Sequence, residues 1–327
     1  MKVGLVLGAG GVVGMSYHAG VLHALAEEAG FEPSTADLVV GTSAGSVVGT
    51  LLRTGWSASD LWDFALDRHP VVADLDEAER ERRKAATMTP RRGTPLALAR
   101  RAVGSAYIAT RSVVRAPIPP IPGFVARRFP AGVFDNAELR DQLTEVVPDE
   151  WPDDPLWLVA VDTQTGRRVV LRKRGSTGAT LQQAVLASCA IPGVFPPVKV
   201  GRRVLVDGGA HSSTHLDLAA TWGCDLIVGV VPMAYDPGAA PGAVSQLVRR
   251  MPARAVAREA RLARARGATV LLVRPCAEEL RIHGRDYMRP DDTKAIARAA
   301  YECTARLLST PRFRRVLDGG GRHVAAA

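Results

Sequence analysis

With 327 residues, 47% hydrophobic and 23% charged, the chain can bury one large core or two ordinary ones and reads as a soluble globular protein. A net charge of +9 points to an anionic partner, but aromatics are only 5% and no basic run is interleaved with them, so nucleic acid is not expected. No apolar stretch reaches the ~20 residues of a membrane span, and glycines interrupt the N-terminal strand pattern too early for a signal peptide, so a cytoplasmic location is expected.

The first strand is predicted over 3–7 (VGLVL), followed by the glycine-rich loop GAGGVVG over 8–14 and a helix over 15–29. Backbone N–H groups where such a loop opens a helix attract an anion. A dinucleotide pyrophosphate is one candidate. Against it, Val13 occupies the last position of a strict G-x-G-x-x-G, and Asp37 comes before the second strand rather than at its end. No Gly-Lys-Ser/Thr follows, so a P-loop is excluded. The other candidate anion is the oxygen of a tetrahedral acyl intermediate.

The second strand, 38–40, runs into GTSAG at 41–45 and then into a helix over 44–53. Gly-x-Ser-x-Gly at a strand-to-helix turn is the pattern of a nucleophile elbow, which exposes the serine hydroxyl and requires slim neighbours. A plain turn or helix cap fits the same residues. Adjacent parallel strands would bring Ser43 beside the glycine loop, so that two weak signals explain each other.

Ser57-Ala58-Ser59-Asp60 is a capping box, and the alternation of short apolar strands with helices predicts a largely parallel, buried sheet. Residues 74–134 are arginine- and then proline-rich. Thr94-Pro95 could start a helix to Arg115 with Arg100, Arg101, Arg111 and Arg115 on one arc, either as a cap over the substrate or as a peripheral helix. A second capping box is expected at Asp135–Glu138. Further strands are expected at 156–161, 169–172, 204–206, 226–230 and 269–273, helices at 180–189 and 291–308, and a frayed tail over 315–327.

A serine needs a base. Asp207 ends an apolar strand and is followed by Gly208 and Gly209, which permit a turn aiming the carboxylate across the sheet top; an ordinary Asp-Gly-Gly turn is the plainer alternative. His211, His215 or a later histidine could complete a Ser-Asp-His triad of α/β-hydrolase type, although in that fold several strands precede the elbow and here only one does. The four cysteines, Cys189, Cys224, Cys276 and Cys303, show no metal-ligand spacing and read as small buried hydrophobes without disulfides.

Together, GAGGVVG, GTSAG, SCAIPGVFPPV (188–198) and DGG (207–209) resemble the patatin-like phospholipase family in order and strand context, over roughly residues 1–310. The resemblance implies a three-layer α/β/α domain with a mostly parallel central sheet, here a single domain over 1–327. It implies a Ser43–Asp207 dyad and an oxyanion hole from the N–H groups of Gly10, Gly11, Val12 and Ala44. Gly8, Gly14, Gly41, Gly45, Gly208 and Gly209 are the motif glycines. The implied reaction is hydrolysis of lipid carboxyl esters without cofactor or metal, with a lipid substrate and peripheral association with an anionic membrane as the partners. Two departures stand out. Val13 replaces the arginine or lysine usual before the last loop glycine, and Ala9 replaces an early glycine. The backbone donors survive both changes, while a cation near the headgroup is lost. The rival readings are a non-catalytic acyl-binding module of the same fold and a dinucleotide-binding oxidoreductase.

Overall fold

The computed structural model describes residues 1–76, 78–80, 82, 90, 94–100, 102–103, 132–175, 178–236, 238–239, 243–284, 286–288, 292–311, 313 and 316. The chain divides into two compact units, one of Met1–Ala73, Asp154–Trp157 and Ser212–Ala327, the other of Asp74–Asp153 and Leu158–His211.

The first unit holds four parallel strands, β1 (Val3–Leu7), β2 (Leu38–Gly41), β7 (Leu226–Val230) and β8 (Thr269–Val273), in the order β2-β1-β7-β8. Every residue of β2 and β7 is buried, as a sheet covered on both faces requires. The pleat shows what covers each face. A side chain on Gly4 would meet Cys224 and Ala219, and one on Gly229 would meet Leu216, so α7 (Leu216–Trp222) lies on that side. Leu7, three residues from Gly4, points the opposite way, and there Leu7 and Val39 pack against Gly49 of α2 (Ala44–Arg53). Helix α1 (Gly11–Ala29) packs on α2, α3 (Ala58–Ala65) and α10 (Thr293–Leu308), while α8 (Ala243–Ala265) packs on α7 and β8. The expected three-layer α/β/α arrangement with a mainly parallel central sheet is present.

Two details of this unit sharpen the sequence reading. Helix α1 begins at Gly11, four residues before the expected start, so the second half of the glycine motif is helix rather than loop. The capping box at Ser57 is complete: Ser57 Oγ accepts from the Asp60 N–H at 3.1 Å, and the Asp60 carboxylate accepts from the Ser57 N–H at 2.8 Å.

The second unit is built on antiparallel pairings of β3 (Leu156–Asp162) with β4 (Arg168–Leu171) and β6 (Arg203–Asp207), and of β6 with β5 (Val198–Val200). The first two residues of β3 belong to the first unit, where the Val39 N–H donates to the Pro155 carbonyl. Its helices include α5 (Ala137–Val146) and α6 (Leu181–Ser188), the latter capped by Thr180 and Gln183. At the start of α5 the expected capping box is replaced. Asn136, not Asp135, is the N-cap, and the Asp135 carboxylate accepts from the Ala137 N–H at 3.0 Å. Of the arginine-rich segment, residues 95–100 are helical and Thr94 Oγ1 accepts from the Ala97 N–H. Residues 102–103 are helical too, while Arg101, residues 104–115 with Arg111 and Arg115, and most of the 315–327 tail lie outside the described residues. Among the described residues no helix is long and apolar enough to cross a membrane.

Candidate active site

The elbow explains why a serine sits between two glycines. Ser43 has φ 53° and ψ −121°, a conformation that side chains disfavour, and from it the chain turns directly into α2. A side chain on Gly41 would stand 2.5 Å from the Gly45 carbonyl oxygen and 2.7 Å from Ser46 Cα. One on Gly45 would run into the Leu7 carbonyl and stand 2.8 Å from Leu7 Cβ. No larger residue fits at either place without moving backbone. The turn is fastened by Gly45 N–H to Thr42 O at 2.9 Å, Ser46 N–H to Ser43 O at 2.7 Å and Ser46 Oγ to Ser43 O at 2.6 Å.

The glycine loop leaves the sheet beside it. In the β1–β2 register Leu7 lies opposite Gly41, and the Thr42 N–H donates to the Leu7 carbonyl at 3.1 Å. A side chain on Gly14 would come to 3.2 Å from Ala44 Cβ, so α1 and α2 start side by side. The first N–H groups of a helix have no carbonyl behind them. Val13 donates to the Tyr287 carbonyl at 3.1 Å, and Gly14 donates to Gly10 at 2.8 Å. Among the described residues the N–H groups of Gly10, Gly11, Val12 and Ala44 have no acceptor.

His18 holds the loop from within α1. Fully buried, its Nε2–H donates to the Gly8 carbonyl at 2.8 Å, and burial pushes its pKa down to about 4, so the ring is neutral. Gly8 donates to Val230 and Ala9 to the Ser213 carbonyl. The glycines of the loop make room for the chain itself. A side chain on Gly10 would meet Gly14 and Pro232, and one on Gly11, at φ 60°, would meet Tyr287 and Met288. This removes the motive for reading the loop as a phosphate cradle, since its glycines are accounted for without a ligand.

Sequence reasoning missed the group that holds Tyr287. Arg249, on α8, is 1% exposed. Its guanidinium donates to the carbonyls of Pro232 and Ala234, both at 2.7 Å, and to His283 Nδ1 at 3.0 Å, and it stacks over the Tyr287 ring at 5.2 Å. Burial pushes the His283 pKa down to about 3, with Arg249 adding to the effect, so this imidazole is neutral and accepts through Nδ1. Nothing local distinguishes Arg249 from the other arginines of α8.

In the second unit Asp207 closes β6 and is 4% exposed. Its N–H donates to Ala190, within the SCAIPGVFPPV segment, at 2.9 Å, and its Oδ1 accepts from the Gly209 N–H at 2.7 Å. Gly208–Ala210 form a single 3-10 turn, and the His211 N–H returns to Gly208 at 2.9 Å. The polar stretch that follows has a structural reason. Glu259 of α8, 3% exposed, accepts from Thr214 Oγ1 at 2.8 Å and from the Leu216 N–H at 2.9 Å, fixing the turn in which His215 takes φ 63°. Glu259 lies near His215 and Asp217 in a grouping that could face a cation, but one of its oxygens already serves those two donors.

Residues 5–220 match the family model described as patatin-like phospholipase. The chain is also similar to two solved structures. One is VipD from Legionella pneumophila, at 16% identity and a TM-score of 0.44, covering 94% of this chain and 66% of that one. The other is the type III effector protein ExoU, at 19% identity and a TM-score of 0.34, covering 94% of this chain and 53% of that one. The chain thus spans less than two thirds of the length of either. With the family match taking in the glycine loop, the serine elbow and the Asp-Gly-Gly turn, the chain belongs to the patatin-like phospholipase family.

Proposed function

We propose that the chain hydrolyses carboxyl esters of lipids through an acyl-serine intermediate, with Ser43 as nucleophile and Asp207 as its general base. The observation that carries this reading is the pairing at the ends of β1 and β2, where a serine elbow stands beside a helix start at which the Gly11 and Val12 N–H groups have no acceptor among the described residues. Attack by Ser43 Oγ on an ester carbonyl puts negative charge on the carbonyl oxygen. In this reading the N–H groups of Gly10, Gly11, Val12 and Ala44 receive that charge, a contribution that is commonly the largest single one in acyl transfer.

Asp207 takes the serine proton as the oxygen attacks and returns it to the leaving alcohol; the acyl-serine is then released by water activated the same way. A carboxylate is a weak base in water, and the burial of Asp207 keeps solvent from levelling it. The dyad is preferred to a triad on the resemblance, with the backbone of His211 and His215 forming part of the turns after Asp207. With Val13 buried where the family usually carries a cation, headgroup charge is not read from the loop. Lipid access is by peripheral association, which the positive net charge favours on anionic membranes.

Fluorophosphonate labelling followed by peptide mapping tests the nucleophile, and turnover of a chromogenic short-chain ester and of phospholipid vesicles tests the rest. Label is expected on Ser43 alone, with turnover lost in Ser43→Ala and Asp207→Asn and retained in His211→Ala. Equal loss in His211→Ala and Asp207→Asn, both folded, would replace the dyad with a triad. Binding of acyl chains without any turnover in the wild type would leave an acyl-binding module instead.

A further inference from the structure

The geometry points to Cys276 and Cys303 as a disulfide-forming pair, oxidised by a small disulfide that enters a cavity opening onto both sulfurs. Cys276 immediately precedes α9 (Ala277–Ile282) and Cys303 lies on α10, yet their sulfurs are 2.6 Å apart. This corrects the expectation that the cysteines serve only as small buried hydrophobes. Cys224 is buried, but Cys276 and Cys303 are both partly open to solvent. They line a 320 Å³ cavity with Glu279, Arg274, Arg306 and Asp236.

The same three donors, two thiols and the Glu279 carboxylate, could be read as a metal site. Two features decide against it. Two thiolates sharing a tetrahedral zinc at about 2.3 Å each must stand roughly 3.7 Å apart, wider than the sulfurs found here. Arg306 also places its guanidinium 3.1 Å from Cys303 Sγ, where a second cation would be repelled. Burial and the neighbouring Cys276 push the Cys303 thiol up, and Arg306, itself paired with Glu278 as Arg274 is with Asp236, opposes that rise. Glu279, 1% exposed, accepts from the Cys276 N–H through Oε2 at 2.6 Å, while its Oε1 is buried with no hydrogen-bond partner among the described residues. That oxygen is available to receive a thiol proton.

The exchange balances without any other reactant. One cysteine thiolate attacks a sulfur of the small disulfide, forming a mixed disulfide and expelling one small thiolate. The second cysteine attacks the protein sulfur of that mixed disulfide, forming the Cys276–Cys303 bond and expelling the other. The two thiol protons pass to the released thiolates, and two electrons leave the protein pair for the oxidant. The bond ties the start of α9, the segment leading to His283 and Tyr287, onto α10.

Reduced protein is incubated with glutathione disulfide, quenched with acid, alkylated and mapped without reduction. The expected product is a linked Cys276–Cys303 peptide lighter by two hydrogens than its reduced parts, reversed by dithiothreitol and preserved in Cys224→Ser. A rise in Tm of about 5 °C should accompany it. In Cys303→Ser, checked for folding by circular dichroism, the reaction should stop at a glutathione adduct on Cys276. Recovery of both cysteines as separate alkylated or glutathionylated residues would overturn the proposal. So would protection of both by one equivalent of zinc, which would establish the metal reading in its place.

Discussion

The conformation of Ser43 supports a prediction that runs against ordinary experience with helices. At φ 53° and ψ −121° a residue carrying a Cβ is strained by about 1–3 kcal/mol, and glycine is not. Ser43→Ala and Ser43→Gly both delete the hydroxyl, so its interactions cancel when the two are compared. Glycine forfeits roughly 0.5–1 kcal/mol through the freedom it adds to the unfolded chain. The net expectation is that Ser43→Gly is more stable than Ser43→Ala by about 1 kcal/mol, or roughly 3 °C in Tm for a chain of this size. Ser46, three residues on with ordinary helical backbone in the first turn of α2, provides the reference. There alanine should exceed glycine by about 1 kcal/mol, the usual helical preference. Urea and thermal unfolding of the four variants measure both differences, and neither Ser43 variant should turn over an ester. If the alanine variant at position 43 matches or exceeds the glycine variant, the elbow holds no strain and the argument from its backbone fails.

Gly45→Ala should destabilise by about 3 kcal/mol and slow ester turnover on the order of 100-fold, because the new methyl group displaces the end of β1; an unchanged urea midpoint would contradict the packing. Arg249→Lys should cost about 3 kcal/mol, since an ammonium cannot reach Pro232, Ala234 and His283 in the same plane, and equal stability by urea unfolding would refute the clamp. Acid should expose His18: the unfolded ring takes a proton near its ordinary value of 6.5, the buried ring only near about 4, so stability is intact above 6.5 and falls as pH drops through that window. The advantage of wild type over His18→Gln should therefore shrink by about 3 kcal/mol from about pH 7 to about pH 4, and an advantage independent of pH would rule the mechanism out. Glu279 shifts the opposite way, its pKa raised to about 7 by burial, and is common to both proteins, so it cancels in that comparison.

The parts of the fold legible in the sequence are those with a local cause. Apolar runs bounded by glycines marked β1, β2, β7 and β8, and Ser57 with Asp60 marked a helix start. The spacing of Gly41, Ser43 and Gly45 marked the elbow because a steric need at fixed offsets leaves a readable trace. Propensity puts the start of α1 four residues late because it reads glycines as loop, whereas here the Tyr287 segment packs against Gly11 and accepts from Val13. What was not legible depends on partners distant in sequence. One arginine among many on α8 is buried, one tyrosine carbonyl far along the chain receives Val13, and two cysteines 27 positions apart meet. The three residues of β5 are too few for a periodicity to show.

Helix α8 contributes no atom to the proposed chemistry, yet it is the brace on which two turns beside the glycine loop depend. Arg249 secures the chain after β7 and Glu259 secures the chain before α7. Both anchors project from one helix, with Pro252 between them removing one rung of its hydrogen-bond ladder, so the length of that span sets their relative position. Adding or deleting a single residue there would rotate one anchor about 100° relative to the other and shift it about 1.5 Å along the axis. Homologous chains should therefore differ freely in the composition of that stretch and scarcely at all in its length.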